Sequence, residues 1–385
     1  MRTALPVKVL IAAAFLSIAT AAEAQLPPEP ESAPAVPIPL NTAQPAPVSK
    51  VTTKSHEFVI APIPMQNPSQ GWGLAVITQL IFHHQQEESG NPPSIIGAGG
   101  FYTEKESYGF GAAFLGSHRG DSWRTTIGAG YGNIHYEFFG VGNDDAKKDK
   151  GIPIQQEFEG GIAQVLRRVR PHLYLGARLT GGKSKLVIAP NRPADTIPAK
   201  DHDFSLFGAG LVLQHDSRDD IFYPVEGTLL YVRADAFDGG GIASFTHQSY
   251  EAEGNQYKTV GEKNVLATRG FVKYVTDGAP VFELCQFGAH NDLRGYLVGK
   301  YRDHFMVAAQ TELRRELRGR FGAVIFGGVG EVAPDPGALD TENLLWSAGA
   351  GVRFRLTKDN KINFRLDWAW GKDGSAYYLG VGEAF

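Results

Sequence analysis

Between Lys361 and Trp370 the chain alternates without a fault. Ile362, Phe364, Leu366, Trp368 and Trp370 share one face, and Lys361, Asn363, Arg365 and Asp367 share the other. A period of two is that of a β-strand, and charges opposite large apolar groups set such a strand between an apolar and a wet environment. The pattern recurs: Val352, Phe354 and Leu356 oppose Arg353 and Arg355, while Leu173, Leu175, Ala177 and Leu179 oppose Tyr174, Arg178 and Thr180. Repeated arginines on one face imply a hydrated lumen, because a charge facing lipid near the midplane costs about 2–4 kcal/mol. The chain closes on an aromatic residue, Phe385, as a membrane barrel does.

A soluble sheet also alternates, so the choice between the two rests on the repetition of the pattern down the chain together with the export signal at its front. Residues 1–24 read as a secretory signal peptide. Arg2 and Lys8 give the positive region, Val9 to Thr20 the apolar region, and Ala22-Glu23-Ala24 the small-residue cleavage site. Residues 25–55 read as a disordered linker, with prolines at 27, 28, 30, 34, 37, 39, 45 and 47 and no means of building a core. From His56 onward no apolar run approaches the roughly 20 residues of a transmembrane helix, so a membrane reading rests on strands.

Composition fits that reading. Glycine is 46 of 385 residues, aromatics are 11%, and the mean hydropathy is slightly negative, as alternating strands around a polar lumen produce. A net charge of −4 lacks the basic excess that a nucleic-acid partner asks for. The single cysteine, Cys285, forms no intrachain disulfide and reads as a small buried apolar residue, with a lone thiol as the alternative.

Runs of alternation broken by Gly, Pro, Asn and Asp predict about sixteen strands, near residues 56–63, 71–82, 94–104, 107–117, 121–137, 153–167, 171–187, 203–215, 226–238, 246–257, 264–276, 303–317, 321–332, 343–357, 361–370 and 374–385. Short connections alternate with long ones at 138–152, 188–202, 277–302 and 333–342, as periplasmic turns alternate with extracellular loops. The fold expected is all-β: a transmembrane antiparallel barrel over residues 56–385, with no second folded domain.

The longest connection carries Leu293-Arg294-Gly295-Tyr296, and the strand after it reads Gln310-Thr311-Glu312-Leu313-Arg314. Phe138-Phe139-Gly140-Val141-Gly142-Asn143, and Asp216 to Asp220 ahead of Phe222, Pro224 and Gly227, follow the same plan. In their order and spacing these pieces resemble the BamA/TamA family of outer-membrane proteins, the bacterial surface antigen superfamily. The resemblance implies that the loop between strands 11 and 12 folds into the lumen, with Arg294 paired to Glu312 on the lumen wall. A two-pronged guanidinium–carboxylate pair holds a loop where a lysine would not. The chain departs from the family at Gly328, where an aspartate is usual; one wall partner for Arg294 and a looser lock are expected. It also lacks room before the barrel for the periplasmic POTRA domains of that family, which implies a barrel-only branch in which a periplasmic partner takes their place or none is needed.

The closing seam is expected to pair 374–385 with 56–63. Gly380 and Gly382 weaken that ladder and Pro62 and Pro64 remove donors, either to make a lateral gate or because glycines fit a crowded lumen. Glu383 stands where the usual export signal has an apolar residue.

By resemblance, the function is to assist insertion or translocation of proteins, or of lipid-linked cargo, at the outer membrane, with membrane lipids and client proteins as partners. The alternatives are a passive pore and a barrel hydrolase. No cofactor or metal is implied. His215 with Asp216, Asp219 and Asp220 reads as an Asp-rich turn rather than a metal site, and His83-His84 with Glu87 and Glu88 as a solvated connection. Ser205, Ser244 and Ser375 are nucleophiles by type only, with no triad spacing.

Overall fold

The computed structural model describes residues 56–67, 71–82, 93–147, 150–188, 197, 201–240, 243–288, 292–356 and 361–385. The expected signal peptide and linker, and the His83–Glu88 cluster, lie outside the described residues.

Sixteen strands form one antiparallel sheet in chain order: β1 (His56–Asn67), β2 (Gly71–Phe82), β3 (Ser94–Thr103), β4 (Tyr108–His118), β5 (Trp123–Phe138), β6 (Ile152–Arg170), β7 (Leu173–Ile188), β8 (Asp203–Asp216), β9 (Gly227–Phe237), β10 (His247–Val260), β11 (Asn264–Val275), β12 (Phe305–Glu316), β13 (Phe321–Ala333), β14 (Leu345–Arg355), β15 (Asn363–Gly371) and β16 (Gly374–Val381). The sheet curls until β1 lies beside β16, but no ladder joins them among the described residues. The barrel is nearly closed. Among the described residues no helix is long and apolar enough to cross a membrane, so the crossing is made by strands.

The alternation read from the sequence is the alternation of the wall. On β15 Leu366, Trp368 and Trp370 are exposed while Asp367 is buried; on β14 Val352 and Phe354 are exposed while Arg353 is buried. The outer face is therefore apolar and suited to lipid, and the charges face inward. Ile362 departs from the pattern: it precedes β15, accepts a hydrogen bond from the Leu356 amide at 2.8 Å, and is buried. Pro62 and Pro64 do not end β1, which runs on to Asn67, because proline is tolerated where a strand borders an open edge.

The buried side chains form two large apolar clusters. One draws Ile63 and Met65 from β1, Ile77 from β2, Tyr136 from β5 and Phe282 from the β11–β12 connection. The other gathers Leu284, Phe287, Leu293 and Tyr296 of that connection against Phe271, Met306 and Val332. Burial of this apolar surface is worth about 25 cal/mol per Å², so the connection is held by packing as well as by charge.

Candidate functional site

The connection from Thr276 to His304 is braced by a two-residue antiparallel ladder, Cys285–Gln286 against Arg302–Asp303. Cys285 is buried and free, as its residue type suggested. Beyond the ladder lie Leu293, Arg294, Gly295 and Tyr296, and the side chains of Leu293, Arg294 and Tyr296 are fully buried.

Arg294 meets two acids. Its Nη2 pairs with Oε1 of Glu312 on β12, and its Nη1 donates to Oδ2 of Asp367 on β15 at 2.7 Å. Beneath it, the guanidinium carbon lies 3.4 Å from the centroid of the Phe326 ring on β13, a cation–π contact strengthened by exclusion of water. The carbonyl of Arg294 accepts from Ser347 Oγ on β14. One residue thus touches four wall strands.

The expectation of a single acidic partner is therefore wrong. Gly328 does lack a carboxylate, but a Cβ there would sit 3.0 Å from Leu293 Cδ1 and 2.8 Å from the Ala309 carbonyl. Leu293 fills the space, and the second acid comes instead from Asp367. Its alternation placed Asp367 on the wet face, yet strand periodicity alone gave no reason to aim it at a loop four strands back in sequence order.

Asp367 and Glu312 belong to a larger arrangement. Asp367 Oδ1 accepts from Arg353 Nη1 at 2.5 Å; Arg353 Nε donates to Glu383 Oε2 at 2.8 Å; Glu383 Oε2 lies 3.8 Å from Arg314 Nε; and Arg314 Nε donates to Glu312 Oε2 at 3.0 Å. With Arg294 these six side chains close a ring of alternating charge, none of them more than 3% exposed. Breaking one buried pair leaves its partner uncompensated, at a cost of about 3–5 kcal/mol.

Gly295 has φ +108°, and a Cβ on it would come 3.0 Å from the backbone of Trp370 and Gly371. Its amide donates to Tyr378 Oη at 2.8 Å. Tyr296 donates its hydroxyl to the Trp346 carbonyl at 2.6 Å and accepts from the amides of Trp346 and Lys372, each at 3.1 Å. These are main-chain groups at the ends of β14 and β15, so Tyr296 ties the connection to both strands.

The seam residues are placed differently from expectation. β16 ends at Val381 rather than at 385. Gly382 takes φ +91°, which an L side chain rarely adopts, and the chain leaves the strand there. Glu383 joins the charge ring. Phe385 packs against Leu229, Tyr257 and Ala267 of β9 to β11, and its main-chain oxygen accepts from Arg314 Nη2 at 2.6 Å. Phe385 is thus not a seam residue. Gly380 lies opposite Arg365 in the β15–β16 register, and a Cβ would come 3.0 Å from Arg365 Nε; of the two readings given to these glycines, the crowded interior accounts for this one.

Residues 99–385 match the Omp85 superfamily domain. The chain belongs to the Omp85 superfamily. It is a bacterial outer-membrane β-barrel of the BamA type, as the arginine-glycine-tyrosine motif and the strand order implied, and no POTRA-like region occurs among the described residues. Its fold is similar to that of BamA from Haemophilus ducreyi lacking POTRA domains 1–3, with a TM-score of 0.56 at 12% identity over 85% of this chain and 70% of that one. CdiB from Escherichia coli gives 0.59 at 9% identity over 87% and 64%, and CdiB from Acinetobacter baumannii 0.56 at 10% over 85% and 60%. The chain thus spans less than two thirds of either CdiB chain. A search of curated protein sequences finds no match.

Two further motifs of this Omp85 barrel have structural partners. Asn143 Nδ2 donates to the Val332 carbonyl at 2.9 Å and the Gly142 amide to the Arg302 carbonyl at 2.8 Å, so the β5–β6 connection rests on the β11–β12 connection and the end of β13. In the acidic turn, Asp219 Oδ1 accepts from the amides of Val225 and Glu226, and Asp220 Oδ1 from those of Phe222 and Tyr223. Asp216 pairs with Arg218 and Arg124. Among the described residues no group of His, Cys, Asp and Glu is arranged to hold a metal ion.

Proposed function

We propose that this Omp85 barrel assists the insertion or translocation of polypeptides at the outer membrane, with the β1–β16 seam as the opening and the β11–β12 connection folded into the lumen as a lock. Arg294 is the bolt, Glu312 and Asp367 are its two sockets, and Gly295 and Tyr296 fix the tip. The observation that carries the reading is the seam. Two neighbouring strands that no ladder joins among the described residues present edge N–H and C=O groups, which lipid cannot satisfy and a client strand can.

The packed interior counts against a passive pore, since Leu293, Phe287 and Tyr296 fill space that an open channel would leave to water. A hydrolase finds no support either: Ser244 Oγ accepts the Ser205 amide at 3.1 Å, a strand-end contact rather than an activated nucleophile. Outer-membrane lipids, client barrel or exported proteins, and a periplasmic protein standing in for POTRA domains are the partners proposed.

The test is the outer-membrane proteome of a strain lacking the gene. Selective loss of a few barrel or surface proteins supports the reading. An unchanged proteome, with steady ion conduction by the purified protein in planar bilayers, would assign it to the pore.

A further inference from the structure

We infer that Gly382–Phe385 is an internal latch, an autoinhibitory segment that crosses the periplasmic end of the barrel interior and is held and released together with the Arg294 connection. This rests on the lock proposed above and adds its regulation.

Three independent observations meet here. The first is direction: Gly382, at φ +91°, turns the chain off the end of β16. The segment that follows contacts β9 to β12, beyond β13 to β15 as counted around the wall from β16, so it spans the interior rather than continuing its strand. It leaves from the end of the barrel opposite the long β5–β6, β7–β8, β11–β12 and β13–β14 connections, the periplasmic end in barrels of this kind.

The second is a fitted receptor. Phe385 sits among Leu229, Tyr257 and Ala267, and its ring centroid lies 5.4 Å from the Arg314 guanidinium carbon, while Arg314 also donates to its main-chain oxygen. Ala384 is buried. The pocket therefore receives a side chain and a main-chain oxygen together.

The third is charge. Arg353 and Arg365 stand directly opposite each other in the β14–β15 register, an unfavourable arrangement for like charges. Four arginines gather here (Arg294, Arg314, Arg353, Arg365) with only Glu312 and Asp367 from the wall. Glu383 supplies the third acid. Remove it and Arg353 keeps only Asp367, which Arg294 also uses; remove Arg294 and Asp367 and Glu312 turn fully to Arg353 and Arg314, weakening their hold on Glu383. The ring thus transmits release in both directions between the two segments.

Cysteine labelling tests this without any client. In a Cys285→Ala background, Ala384→Cys is reacted with a membrane-impermeant maleimide in open proteoliposomes, with assembly of each variant checked by heat-modified gel mobility. Loss of one buried pair raises the labelling rate by roughly ten-fold or more in both Glu383→Gln and Arg294→Ala. If Arg294→Ala does not assemble, Arg294→Lys, which loses the fork and keeps a charge, gives the same rise in smaller measure. Rapid labelling in the parent, or a rise in Glu383→Gln with none in the Arg294 variant, overturns the coupled latch. Neither result bears on the assembly role, which the proteome decides separately.

Discussion

Leu293 packs over Gly328, in the space that a side chain on β13 would need, with 3.0 Å between its Cδ1 and a Cβ built at 328. That contact explains why the second partner of Arg294 stands on β15. Gly328→Asp, which restores the residue usual in the family, therefore weakens this lock. Overpacking costs about 1–3 kcal/mol, and the Cβ of the added side chain meets Leu293 and the Ala309 carbonyl at once. Urea unfolding in detergent reads the loss; a rise in stability would mean that Leu293 yields and that Asp367 is dispensable.

Glu312 and Asp367 are predicted to act on Arg294 as a pair. Glu312→Gln and Asp367→Asn each cost about 3–5 kcal/mol in the wild-type chain, and less once Arg294→Ala is present, when Glu312 keeps Arg314 and Asp367 keeps Arg353, because residues in one network couple. Double-mutant cycles measure this, and strict additivity would break the ring into unrelated contacts. Arg294→Lys falls between wild type and Arg294→Ala, since lysine reaches one acid and lacks the fork.

Tyr296→Phe removes three hydrogen bonds to the ends of β14 and β15 while keeping the ring that meets Tyr301 edge-on at 5.5 Å. The expected loss is about 1–3 kcal/mol, from main-chain groups left without a partner. Amide exchange at Trp346 and Lys372 should quicken, with the centre of β12 unaffected. Unchanged exchange would show that water replaces the hydroxyl.

Much of this was legible in the chain. The two-sided runs located the sixteen strands to within a few residues, because a wall between lipid and a charged interior imposes its period on every strand. Arg294 and Glu312 were marked by the resemblance. Asp367 was on the correct face but unassigned, since which acid a loop reaches depends on the curl of the sheet and not on period. The segment after β16 was misread for a different reason: alternation continues through Val381, and only the positive φ of Gly382 and the attraction of Arg353 and Arg314 for Glu383 divert the chain. A lone glutamate in place of an apolar residue was the available sign.

Acid should free that segment. Burial alone would raise the Glu383 carboxyl, but the guanidinium groups of Arg353 and Arg314 outweigh it and hold the group below its ordinary value. A depressed carboxyl contributes stability that is complete above its unfolded pKa and is lost as the pH falls through the folded one. A nitroxide at position 384 is therefore immobile at neutral pH and becomes mobile only as the pH falls below the ordinary glutamate range. In Glu383→Gln it is mobile at both, and a label equally rigid throughout would remove the carboxylate from the account.

The most direct measurement of the central claim is the abundance of outer-membrane proteins, by quantitative mass spectrometry, in a deletion strain carrying either the wild-type chain or Arg294→Ala at equal barrel level. The account predicts that wild type restores a selective set of barrel or surface proteins and that Arg294→Ala, though inserted in the membrane, does not. Full restoration by Arg294→Ala would contradict it.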